Sequence, residues 1–452
     1  MIVSNLYKGG RVAVIGFGKT GRSVADSLAA GGAEVLLYDD SEICDENYRR
    51  FLGGNFIDEK PDAVVVSPGI NLMWPKPHPL VKEAARMRIP ILNDLDLFRL
   101  HVTGKINVCI TGTNGKSTTT ALIHHLLNFA GRRAEIGGNF GAPILSVAAD
   151  ADFFVAELSS YQLESCNIFG FDVGVLLNIT PDHLTRHGGI EGYIAAKQRI
   201  FADFGEKSVA VIGADCDYCL RIREFLERAG HPRVIPISGR FVPEFGVGWE
   251  KNRLTDDREG LRRIVCESNP RLDGDHNRQN IAAAYAACFA CLGNDLADES
   301  FRGGLFSFRG LEHRQEIASE INGVLYVNDS KATNADSAEE ALKRFGSIIW
   351  ISGGRPKEDG MGNLPKYFDK IKSAFLIGEA AEEWSALLTQ RGVKNEISET
   401  LERATARARE TAIAGDVVLL SPACASFDQF KDFEDRGRQF KNLVFRLKEK
   451  TK

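Results

Sequence analysis

Short apolar runs followed by polar or glycine-rich turns recur along the first hundred residues of the chain. Residues 12–15, 35–38 and 63–66 are such runs, rich in valine and leucine. Continuous apolar runs of this length are typical of strands buried on both faces of a parallel sheet. Helical segments of suitable length separate them. The pattern predicts that residues 1–102 form a parallel α/β domain.

The first of these runs leads into a turn with the spacing Gly-x-Gly-x-x-Gly, formed by Gly16, Gly18 and Gly21. Asp39 and Asp40 follow the next run, about 20 residues further on, which completes the dinucleotide fingerprint of a Rossmann-like domain. The fingerprint places a diphosphate at a helix start and a hydroxylated group near the acid. NAD, FAD and a nucleotide sugar such as a UDP-sugar all satisfy it. A further loop, containing Gly69, follows the third run.

A second glycine-rich turn lies between an apolar run at residues 106–110 and an apolar helical segment at 121–127. The turn contains Gly112, Thr113, Asn114, Gly115, Lys116, Ser117 and Thr118. In a phosphate-binding loop of this kind, backbone N–H groups and the lysine contact phosphate oxygens, and a hydroxyl binds Mg²⁺. Ile110 stands where the eight-residue motif has its first glycine, so the loop is shortened. The alternative is an ordinary strand-to-helix turn with a solvated lysine.

Further polar residues follow later apolar runs in this region. Glu157 and His183 each come after such a run. An acid at the end of a strand parallel to the phosphate-loop strand is well placed to bind Mg²⁺. Asn139, in a glycine loop, and Asn277, before an alanine-rich helix, are candidates for ligand contact. Structural interpretations remain open: helix capping for Glu157 and Asn277, a structural imidazole for His183, and a solvated surface side chain for Lys197.

The alternation of strand and helix restarts near residue 304. Apolar runs at 324–327, 347–351, 374–377 and 417–420 each end in a polar or glycine-rich loop. This order predicts a doubly wound sheet with its site at the carboxyl edge. We therefore predict an α/β fold of three domains: a Rossmann-like domain at 1–102, a central P-loop ATPase-like domain at 103–303 and a Rossmann-like domain at 304–452. The basic end of the chain, from Arg446, is expected to be frayed.

Composition narrows the class of protein. The chain has 452 residues, too many for one ordinary core, and 44% hydrophobic and 26% charged residues are globular values. The net charge is −5, so the chain has no excess of basic residues, which argues against a nucleic-acid partner. No apolar run approaches the ~20 residues of a membrane span, and no signal-peptide pattern opens the sequence. We expect a cytoplasmic protein without a membrane span.

Two cysteine pairs have the Cys-x-x-Cys spacing of metal ligands: Cys216 with Cys219, and Cys288 with Cys291. A zinc site that uses all four is one interpretation. The second pair lies in an alanine-rich helical pattern, where cysteine is usually a small core residue. A reducing compartment disfavours structural disulfides. The sequence leaves the role of both pairs open.

Taken together, the motifs resemble the Mur ligase family over nearly the whole chain. The family-wide part is the phosphate loop, with Asn178 to His183 and Gly274 to Asn277. The more selective part consists of ELSSYQLE at 157–164, NDSKATN at 328–334 and LSPACASFDQF at 420–430, running on to Phe433. The last two segments resemble the D-glutamate-adding members. The Asp-Asn-Pro-Arg signature of the diaminopimelate- and lysine-adding members is absent from the sequence.

The resemblance implies an ADP-forming ligase that adds D-glutamate to UDP-N-acetylmuramoyl-L-alanine during peptidoglycan precursor synthesis. It implies that ATP contacts the phosphate loop, with Lys116 on the outer phosphates, and also Asn277, Arg314 and Asp329. It assigns the UDP substrate to Lys19, Thr20, Asp39, Asp40, Gly69, Asn139 and His183. It assigns D-glutamate to Lys331, Thr333, Lys357, Ser426 and Phe433. Arg355 and Pro356 replace an Asp-Gly pair of some members, which weakens the assignment of Lys357.

The resemblance also implies two Mg²⁺ ions. Ser117 and Glu157 would bind one, and His183 and Lys197 the other. In the family this lysine is carbamylated by carbon dioxide, which converts a cation into an anionic oxygen ligand. Lys116, His183 and Lys197 are therefore the predicted catalytic residues. Small-molecule substrates are the expected partners, and we expect a monomer.

Three other functions compete with this one. A related amide ligase, such as folylpolyglutamate synthase, does not explain the dinucleotide-like first domain. An NAD-dependent oxidoreductase explains Gly16 to Gly21 but leaves the phosphate loop and the third domain without a role. A non-catalytic nucleotide-binding module would bind ATP without releasing phosphate in the presence of both substrates.

Overall fold

A computed structural model of the chain describes residues 1–40, 49–50, 59–230, 233–267, 269, 272, 274–357 and 360–449, with 49 and 50 as backbone only. Internal contacts divide the chain into two compact units, residues 1–308 and 309–452. Three separate sheets, each mostly parallel and interspersed with helices, confirm the predicted α/β fold class. The domain boundaries near residues 102 and 303 stay predictions.

The first sheet of unit 1 confirms the strands expected from the apolar runs at 12–15, 35–38 and 63–66. Its described strands are β1 (Arg11–Ile15), β2 (Glu34–Tyr38), β3 (Arg49–Arg50), β4 (Ala63–Val66) and β5 (Ile91–Leu92). They run parallel in the order β3-β2-β1-β4-β5. The chain therefore crosses from one side of β1 to the other, and ligands of open α/β sheets bind at such a crossover.

The second sheet of unit 1 has, within the described ranges, nine strands in the order β14-β13-β12-β11-β10-β9-β6-β8-β7. They are β6 (Ile106–Thr111), β7 (Ala134–Gly138), β8 (Phe153–Glu157), β9 (Val173–Leu176), β10 (Val209–Gly213), β11 (Val234–Ile237), β12 (Val247–Glu250), β13 (Arg253–Asp256) and β14 (Arg263–Glu267). Strands β12 to β14 pair antiparallel at one edge, an extension that the sequence analysis did not predict. The phosphate-loop strand β6 lies between β8 and β9, so loops following all three meet at one edge.

The described helices of unit 1 are α1 (Lys19–Ala30), α2 (Pro79–Met87), α3 (Asp94–His101), α4 (Lys116–Phe129), α5 (Ser160–Ser165), α6 (Leu184–His187), α7 (Ile190–Gln198), α8 (Asp217–Arg228), α9 (Asp275–Leu292) and α10 (Asp298–Ser307). One hydrophobic cluster joins the two sheets: Val12 and Val65 of the first share it with Phe98, Phe154 and Leu163. Hydrogen bonds reinforce the junction, with Asn93 Nδ2 donating to the carbonyl of Gln162 at 3.0 Å. This shared core explains why both sheets belong to one unit.

Unit 2 contains the third sheet, with described strands β15 (Glu316–Ile321), β16 (Val324–Asn328), β17 (Ile348–Gly353), β18 (Ile371–Ile377), β19 (Asn395–Glu399) and β20 (Val417–Leu420) in the order β15-β16-β20-β17-β18-β19. Only β15 pairs antiparallel among these strands. Its described helices are α11 (Ala335–Arg344), α12 (Ala381–Gln390), α13 (Leu401–Thr411) and α14 (Phe433–Glu449). Apolar clusters pack against both faces of the sheet, as a doubly wound sheet requires.

Helix α14 corrects one prediction. The basic end of the chain was expected to be frayed from Arg446, but α14 continues to Glu449. Leu447 packs against the cluster that contains Phe440 and Val444, so the apolar stripe of the helix is long enough to order these residues. Within the part of the chain that the structure describes, no helix is long and apolar enough to cross a membrane.

Candidate active site

The phosphate loop connects β6 to α4, as the sequence predicted. Gly115 has φ +87°, and a Cβ placed there would lie 2.3 Å from Oδ1 of Asn280, so glycine is required both for the turn and for the close approach of α9. The Lys116 ammonium donates hydrogen bonds to the carbonyls of Gly112 and Thr113, both at 2.8 Å. The lysine therefore folds back over its own loop, beside the start of α4, and a helix start is a favourable place for a phosphate group.

The segment that follows β9, the strand next to β6, anchors the loop. Asn114 N–H donates to Oδ1 of Asn178 at 2.9 Å, and Nδ2 of Asn178 donates back to the Asn114 carbonyl at 3.1 Å. Thr113 N–H donates to the Asn178 carbonyl at 2.9 Å, and Thr113 Oγ1 accepts from the N–H of Thr180 at 3.0 Å. These bonds fix the backbone of the loop.

Lys197 lies beneath this loop and is buried, with 1% of its surface exposed. Its Nζ donates to the Gly112 carbonyl at 2.8 Å and lies 4.6 Å from the centre of the Tyr193 ring. Burial and the nearby positive charge of Lys116 lower the pKa of the Lys197 amine well below its ordinary value. The interpretation of Lys197 as a solvated surface lysine is therefore wrong, because Tyr193 and the phosphate loop cover it.

Glu157 ends β8 and is also buried. Its Oε1 accepts a hydrogen bond from Nδ2 of Asn139 at 2.7 Å, whereas Oε2 is buried with no hydrogen-bond partner. A buried carboxylate oxygen that lacks a partner is costly unless a ligand satisfies it. The structure thus pairs Asn139, predicted to contact the UDP substrate, with Glu157, predicted to bind metal.

The residues of this region fit Mg²⁺. No group of three or more His, Cys, Asp or Glu side chains forms a metal-binding cluster anywhere in the described residues. Mg²⁺ in nucleotide sites commonly takes only one or two carboxylates, with phosphates and water as its other ligands. The unpartnered Oε2 of Glu157 is an oxygen of this type. Ser117, the second predicted ligand, is buried in the first turn of α4.

His183 lies on the exposed loop before α6, in a left-handed conformation with φ +53°. Its Nδ1 lies 3.2 Å from the hydroxyl of Tyr161. The guanidinium of Arg186 lies over the same tyrosine ring, 5.0 Å from its centre. Arg186 is buried, and its Nη1 lies 2.6 Å from Oε2 of Glu164. His183 therefore belongs to a polar cluster and is not an isolated loop residue.

Asn277 is placed near the phosphate loop through α9. Its Oδ1 accepts from Nδ2 of Asn280 at 3.3 Å, and Oδ1 of Asn280 accepts from the hydroxyl of Thr119 at 3.1 Å. Thr119 lies in the first turn of α4, directly after Thr118. The structure thus brings Asn277 and the predicted phosphate-binding residues to the same helix starts.

At the first sheet, the predicted UDP-binding residues gather at the carboxyl edge. A Cβ on Gly21 would lie 1.8 Å from the Gly16 carbonyl, which explains the third glycine of the turn. The Asp39 carboxylate accepts from the N–H of Phe17 at 2.6 Å, so it also holds the turn in place. Ser67 Oγ donates to the Gly16 carbonyl at 2.7 Å. Around this turn the exposed predicted residues are Lys19, Asp40 and Gly69, with Thr20 half-buried.

In unit 2, Asp329 is buried immediately after β16. Its Oδ2 accepts from the hydroxyl of Ser421 at 2.7 Å, and its Oδ1 accepts from the N–H of Gln315 at 3.1 Å. Burial raises the pKa of this carboxyl to about 7, although these hydrogen bonds and the positive charge of Arg314 oppose the shift. The two predicted ATP contacts of unit 2, Arg314 and Asp329, thus lie close enough to interact.

The residues predicted to bind D-glutamate also lie in unit 2. Lys331 Nζ lies 3.7 Å from the centre of the Phe433 ring, at the start of α14. Ser426 is buried after β20, whereas Lys357 is exposed in the loop after β17. Thr333 N–H donates to the Lys331 carbonyl at 2.8 Å. The structure thus brings Lys331, Thr333 and Phe433 together, and the role of Lys357 stays a prediction.

The sequence analysis did not single out Arg186, Tyr193 or Gln279. Tyr193 precedes Lys197 by four residues, a helical spacing that places the two side chains on one face and was an available signal. Arg186 follows His183 closely, but nothing local indicates that it binds the carbonyls of Ile70 and Trp74, both at 3.3 Å. Gln279 donates to Asp215 at 2.8 Å and accepts from Asn178 at 3.2 Å, contacts between distant segments.

Family profiles match both units. A profile described as the Mur ligase middle domain matches residues 110–288, and one described as the Mur ligase glutamate ligase domain matches residues 313–424. Among solved structures, UDP-N-acetylmuramate-alanine ligase from Thermotoga maritima has a TM-score of 0.60 at 19% identity, covering 98% of this chain and all of that one. MurF ligase from Thermotoga maritima in complex with ADP has a TM-score of 0.57 at 18% identity, covering 99% of this chain and 98% of that one. At these identities the structures show the fold alone.

Curated relatives are similar along nearly the whole chain. UDP-N-acetylmuramoylalanine--D-glutamate ligase from Rhodospirillum rubrum is 42% identical over 456 residues, covering 97% of this chain and 95% of the relative. The enzymes of that name from Cereibacter sphaeroides (strain ATCC 17025) and Agrobacterium fabrum are 43% and 40% identical, covering 98% and 100% of this chain and 99% and 98% of the relatives. The chain belongs to the Mur ligase family.

Proposed function

We propose that this protein is an ATP-dependent, ADP-forming ligase that joins D-glutamate to UDP-N-acetylmuramoyl-L-alanine during peptidoglycan precursor synthesis. The observation that carries the proposal is its likeness, over 97% of the chain or more, to ligases of that specificity. The phosphate loop, the buried Glu157 and Lys197 beside it, and the basic and aromatic residues of unit 2 supply the groups that this reaction requires.

A carboxylate is a poor electrophile, so amide formation in water needs prior activation. The carboxylate of the terminal L-alanine attacks the γ-phosphorus of ATP in line, which gives an acyl phosphate and ADP. The amine of D-glutamate then attacks the acyl carbon, and inorganic phosphate leaves. The protein contributes positioning and charge neutralisation to both steps.

Lys116 is the residue that holds the transferred phosphate. In the structure its ammonium is bonded to the carbonyls of Gly112 and Thr113. ATP binding exchanges these contacts for phosphate oxygens, while Asn178 and Thr180 keep the loop backbone in position. Because the loop is already anchored, little backbone ordering opposes nucleotide binding.

Ser117, Glu157, His183 and Lys197 are the residues proposed to hold two Mg²⁺ ions. When bound, Mg²⁺ neutralises the charge on phosphate and carboxylate oxygens. The unpartnered Oε2 of Glu157 supports the first site. For the second site, the lowered pKa of Lys197 supports carbamylation, because the neutral amine is the form that attacks carbon dioxide.

Carbamylation can be tested apart from turnover. NMR of the protein with isotopically labelled carbon dioxide should show one carbamate resonance that disappears in Lys197→Gln. A resonance that persists in this variant would assign the carbamate to another residue, and absence of any resonance in the active enzyme would remove the carbamate from the proposal.

The two substrates are assigned to different sheets. The turn after β1, with Lys19 and Thr20 at the start of α1, and the loop containing Gly69 form the proposed UDP site at the crossover of the first sheet. Lys331, Thr333, Lys357, Ser426 and Phe433 form the proposed D-glutamate site. D-Glutamate carries two carboxylates, which cationic Lys331 and Lys357 complement.

Phosphate release with ATP, UDP-N-acetylmuramoyl-L-alanine and a panel of amino acids tests the function. We expect release that depends on D-glutamate and stops in Lys116→Ala. Turnover with another amino acid alone would contradict the D-glutamate assignment. ATP binding without phosphate release would favour a nucleotide-binding module, and quenching of NADH fluorescence would favour an oxidoreductase. Cytoplasmic location and a monomeric state remain predictions.

A further inference from the structure

Trp74 differs from the other tryptophans of the chain in its exposure to solvent. The sequence contains four tryptophans, and all four lie in the part of the chain that the structure describes. Trp249, Trp350 and Trp384 are buried, whereas Trp74 is 53% exposed and its neighbour Met73 is 67% exposed. Two large apolar side chains in contact with water are unfavourable and often mark a surface that a ligand covers. The reaction proposed above assigns no role to either residue.

The exposed tryptophan belongs to residues 71–78, which we name the bridging loop. The loop closes at its base, where the N–H of His78 donates to the carbonyl of Asn71 at 2.9 Å. The His78 ring contacts the ring of Tyr38, with centres 5.5 Å apart. Tyr38 is the last residue of β2, and the proposed UDP-binding residue Asp39 follows it directly. The base of the bridging loop therefore lies beside the proposed UDP site.

The middle of the bridging loop contacts helix α6 and the glycine that ends it. Nη1 of Arg186 donates to the Trp74 carbonyl at 3.3 Å. A Cβ on Gly188 would lie 3.0 Å from Cε2 of the Trp74 indole and 3.2 Å from its Nε1, so the indole packs directly against this glycine. His183, a proposed Mg²⁺ ligand, immediately precedes α6. The bridging loop therefore connects the proposed UDP site with the segment that carries His183.

The UDP substrate of the proposed reaction connects the same two places. Its diphosphate is assigned to the turn after β1, and its terminal carboxylate has to reach the γ-phosphate of ATP beside Lys116. The N-acetylmuramoyl sugar joins these two ends of the molecule. A sugar ring carries C–H groups on its faces, and these pack favourably on the electron-rich face of an indole. The exposed part of Trp74 is therefore suited to the sugar, whereas uridine and diphosphate lie at the base of the bridging loop.

We propose that Trp74 contacts the N-acetylmuramoyl sugar of the UDP substrate and so discriminates this substrate from UDP alone. The inference rests on the proposed function, since it names the residue that binds the part of the substrate between the two sites. Arg186 and Gly188 fix the tryptophan in place. A side chain whose backbone is bonded and whose ring is already packed loses little freedom when a ligand binds. The contact acts on substrate binding and not on the chemical step, because it is the same in the ground state and the transition state.

Acrylamide quenching of tryptophan fluorescence tests the contact, because acrylamide reaches exposed indoles and not buried ones. We expect Trp74 to supply the quenchable fraction, which should disappear in Trp74→Phe. Saturating UDP-N-acetylmuramoyl-L-alanine should abolish most of the quenching, whereas saturating UDP should leave it unchanged. Binding of the substrate without protection of Trp74, or equal protection by UDP, would overturn the inference and leave the proposed function intact. Calorimetry that detects no binding of the substrate would contradict the proposed function together with the inference.

Calorimetric titration of two variants measures the size of the contribution. We expect Trp74→Ala to weaken binding of UDP-N-acetylmuramoyl-L-alanine about tenfold, the upper range for an aromatic contact, and to leave the affinity for UDP unchanged. Trp74→Phe should recover part of the loss, because phenylalanine keeps an aromatic face. Phe225→Ala is the matched control, since Phe225 is 56% exposed in α8 and its loss should change neither affinity.

The kinetic constants of Trp74→Ala provide a second measurement. We expect KM for the UDP substrate to rise about tenfold, with kcat and KM for ATP unchanged, as for loss of uniform binding. An unchanged affinity of Trp74→Ala for the substrate would exclude the contact. An equal loss of affinity for UDP and for the substrate would assign the effect to distortion of the UDP site, and it would also overturn the proposal.

Discussion

The amine of Lys197 donates a hydrogen bond to the carbonyl of Gly112 over 2.8 Å, although the two residues are 85 positions apart in the sequence. Gly112 opens the phosphate loop, and Lys197 lies near the end of α7. A long, flexible side chain is thus buried against the loop that we propose to bind the phosphates of ATP. Burial and the nearby charge of Lys116 lower the pKa of Lys197, which favours the neutral amine that the proposed carbamylation requires.

Replacing Lys197 should strongly lower the catalytic rate. We expect Lys197→Ala to lower the rate of phosphate release by about 10²–10³-fold, the range for loss of one electrostatic group at a reacting centre. Acetate or formate should restore part of the rate, because a small carboxylate can enter the space that the side chain leaves. The exposed Lys207→Ala is the matched control and should leave the rate unchanged. Full activity in Lys197→Ala would refute the carbamate role.

Gly115 and Gly131 provide a matched pair for the phosphate loop. Both have positive φ, +87° and +74°, but a Cβ on Gly131 meets nothing within 4 Å, whereas one on Gly115 lies 2.3 Å from Asn280. Alanine at Gly131 should cost about 1–2 kcal/mol of stability, the left-handed backbone penalty alone. Alanine at Gly115 should cost about 1–3 kcal/mol more, because Asn280 must release its hydrogen bonds, and should weaken ADP binding. Chemical denaturation and calorimetry measure both effects, and equal behaviour of the two variants would contradict the role of Asn280.

Arg186 joins the two sheets of unit 1 as a positioning residue. It pairs with Glu164 while donating to the carbonyls of Ile70 and Trp74, in the loop that follows the proposed UDP-binding residue Gly69. Arg186→Met should lower the free energy of unfolding by about 3–5 kcal/mol, because it leaves a half-buried carboxylate unpaired. The double variant Arg186→Met with Glu164→Gln should recover part of this loss.

The kinetic constants of the double variant Arg186→Met with Glu164→Gln distinguish a positioning role of Arg186 from a contribution to stability alone. In the double variant we expect KM for the UDP substrate to stay raised while KM for ATP changes little, since the loop at residues 70–74 has lost its anchor. A uniform fall in kcat with both KM values unchanged would contradict a positioning role at the UDP site.

Glu157→Gln tests the proposed metal ligand. The substitution keeps the side-chain shape and the bond to Asn139 but removes the charge beside the unpartnered Oε2. We expect the Mg²⁺ concentration for half-maximal activity to rise at least roughly tenfold. The exposed Glu206→Gln should leave the Mg²⁺ dependence as it is. An unchanged Mg²⁺ requirement in Glu157→Gln would exclude Glu157 as a ligand.

Asp329 makes the stability of unit 2 depend on pH. Its pKa is 3.8 in an unfolded chain and about 7 in the fold, chiefly because it is buried. The folded state therefore binds more protons than the unfolded state across this window, and stability falls as pH rises through it. Relative to Asp329→Asn, the protein should lose about 2 kcal/mol of stability between about pH 5 and about pH 7. Calorimetric unfolding at both values measures the difference, and parallel pH profiles would contradict it.

The features that the sequence predicted correctly are those that depend on local pattern. Apolar runs located the buried strands, and the glycine spacing located the turns after β1 and β6, because both signals arise within about ten residues of the feature they mark. Glu157 and Lys116 became candidates for metal and phosphate binding through their places at a strand end and a helix start, and those roles stay predictions. The family resemblance then added roles that composition and spacing do not provide.

What the sequence could not predict depends on contacts between distant segments. The burial of Lys197 comes from Thr111, Gly112 and Tyr193, and a lone lysine on a mixed helix face gives no sign of that cover. Arg186 is fixed by backbone carbonyls more than a hundred residues away, which leave no mark on the side-chain pattern. The hairpin of β12 to β14 was missed because its short strands lie at a sheet edge, where alternation is weak.

The hydrophobic cluster shared by the first two sheets restricts how the chain can be recombined with other ligases. Phe98, near the predicted boundary at residue 102, packs edge-on against Phe154 of β8, with ring centres 5.3 Å apart. In a chimera joined at that boundary, the residues around Phe98 would pack against those of another protein, and the close packing of this interior would be lost. A cut after Phe308 falls at the division between the two compact units. A graft that exchanges the proposed D-glutamate site should therefore be joined after Phe308, whereas the proposed UDP and ATP sites, on two sheets with one shared core, should be kept together as a single piece.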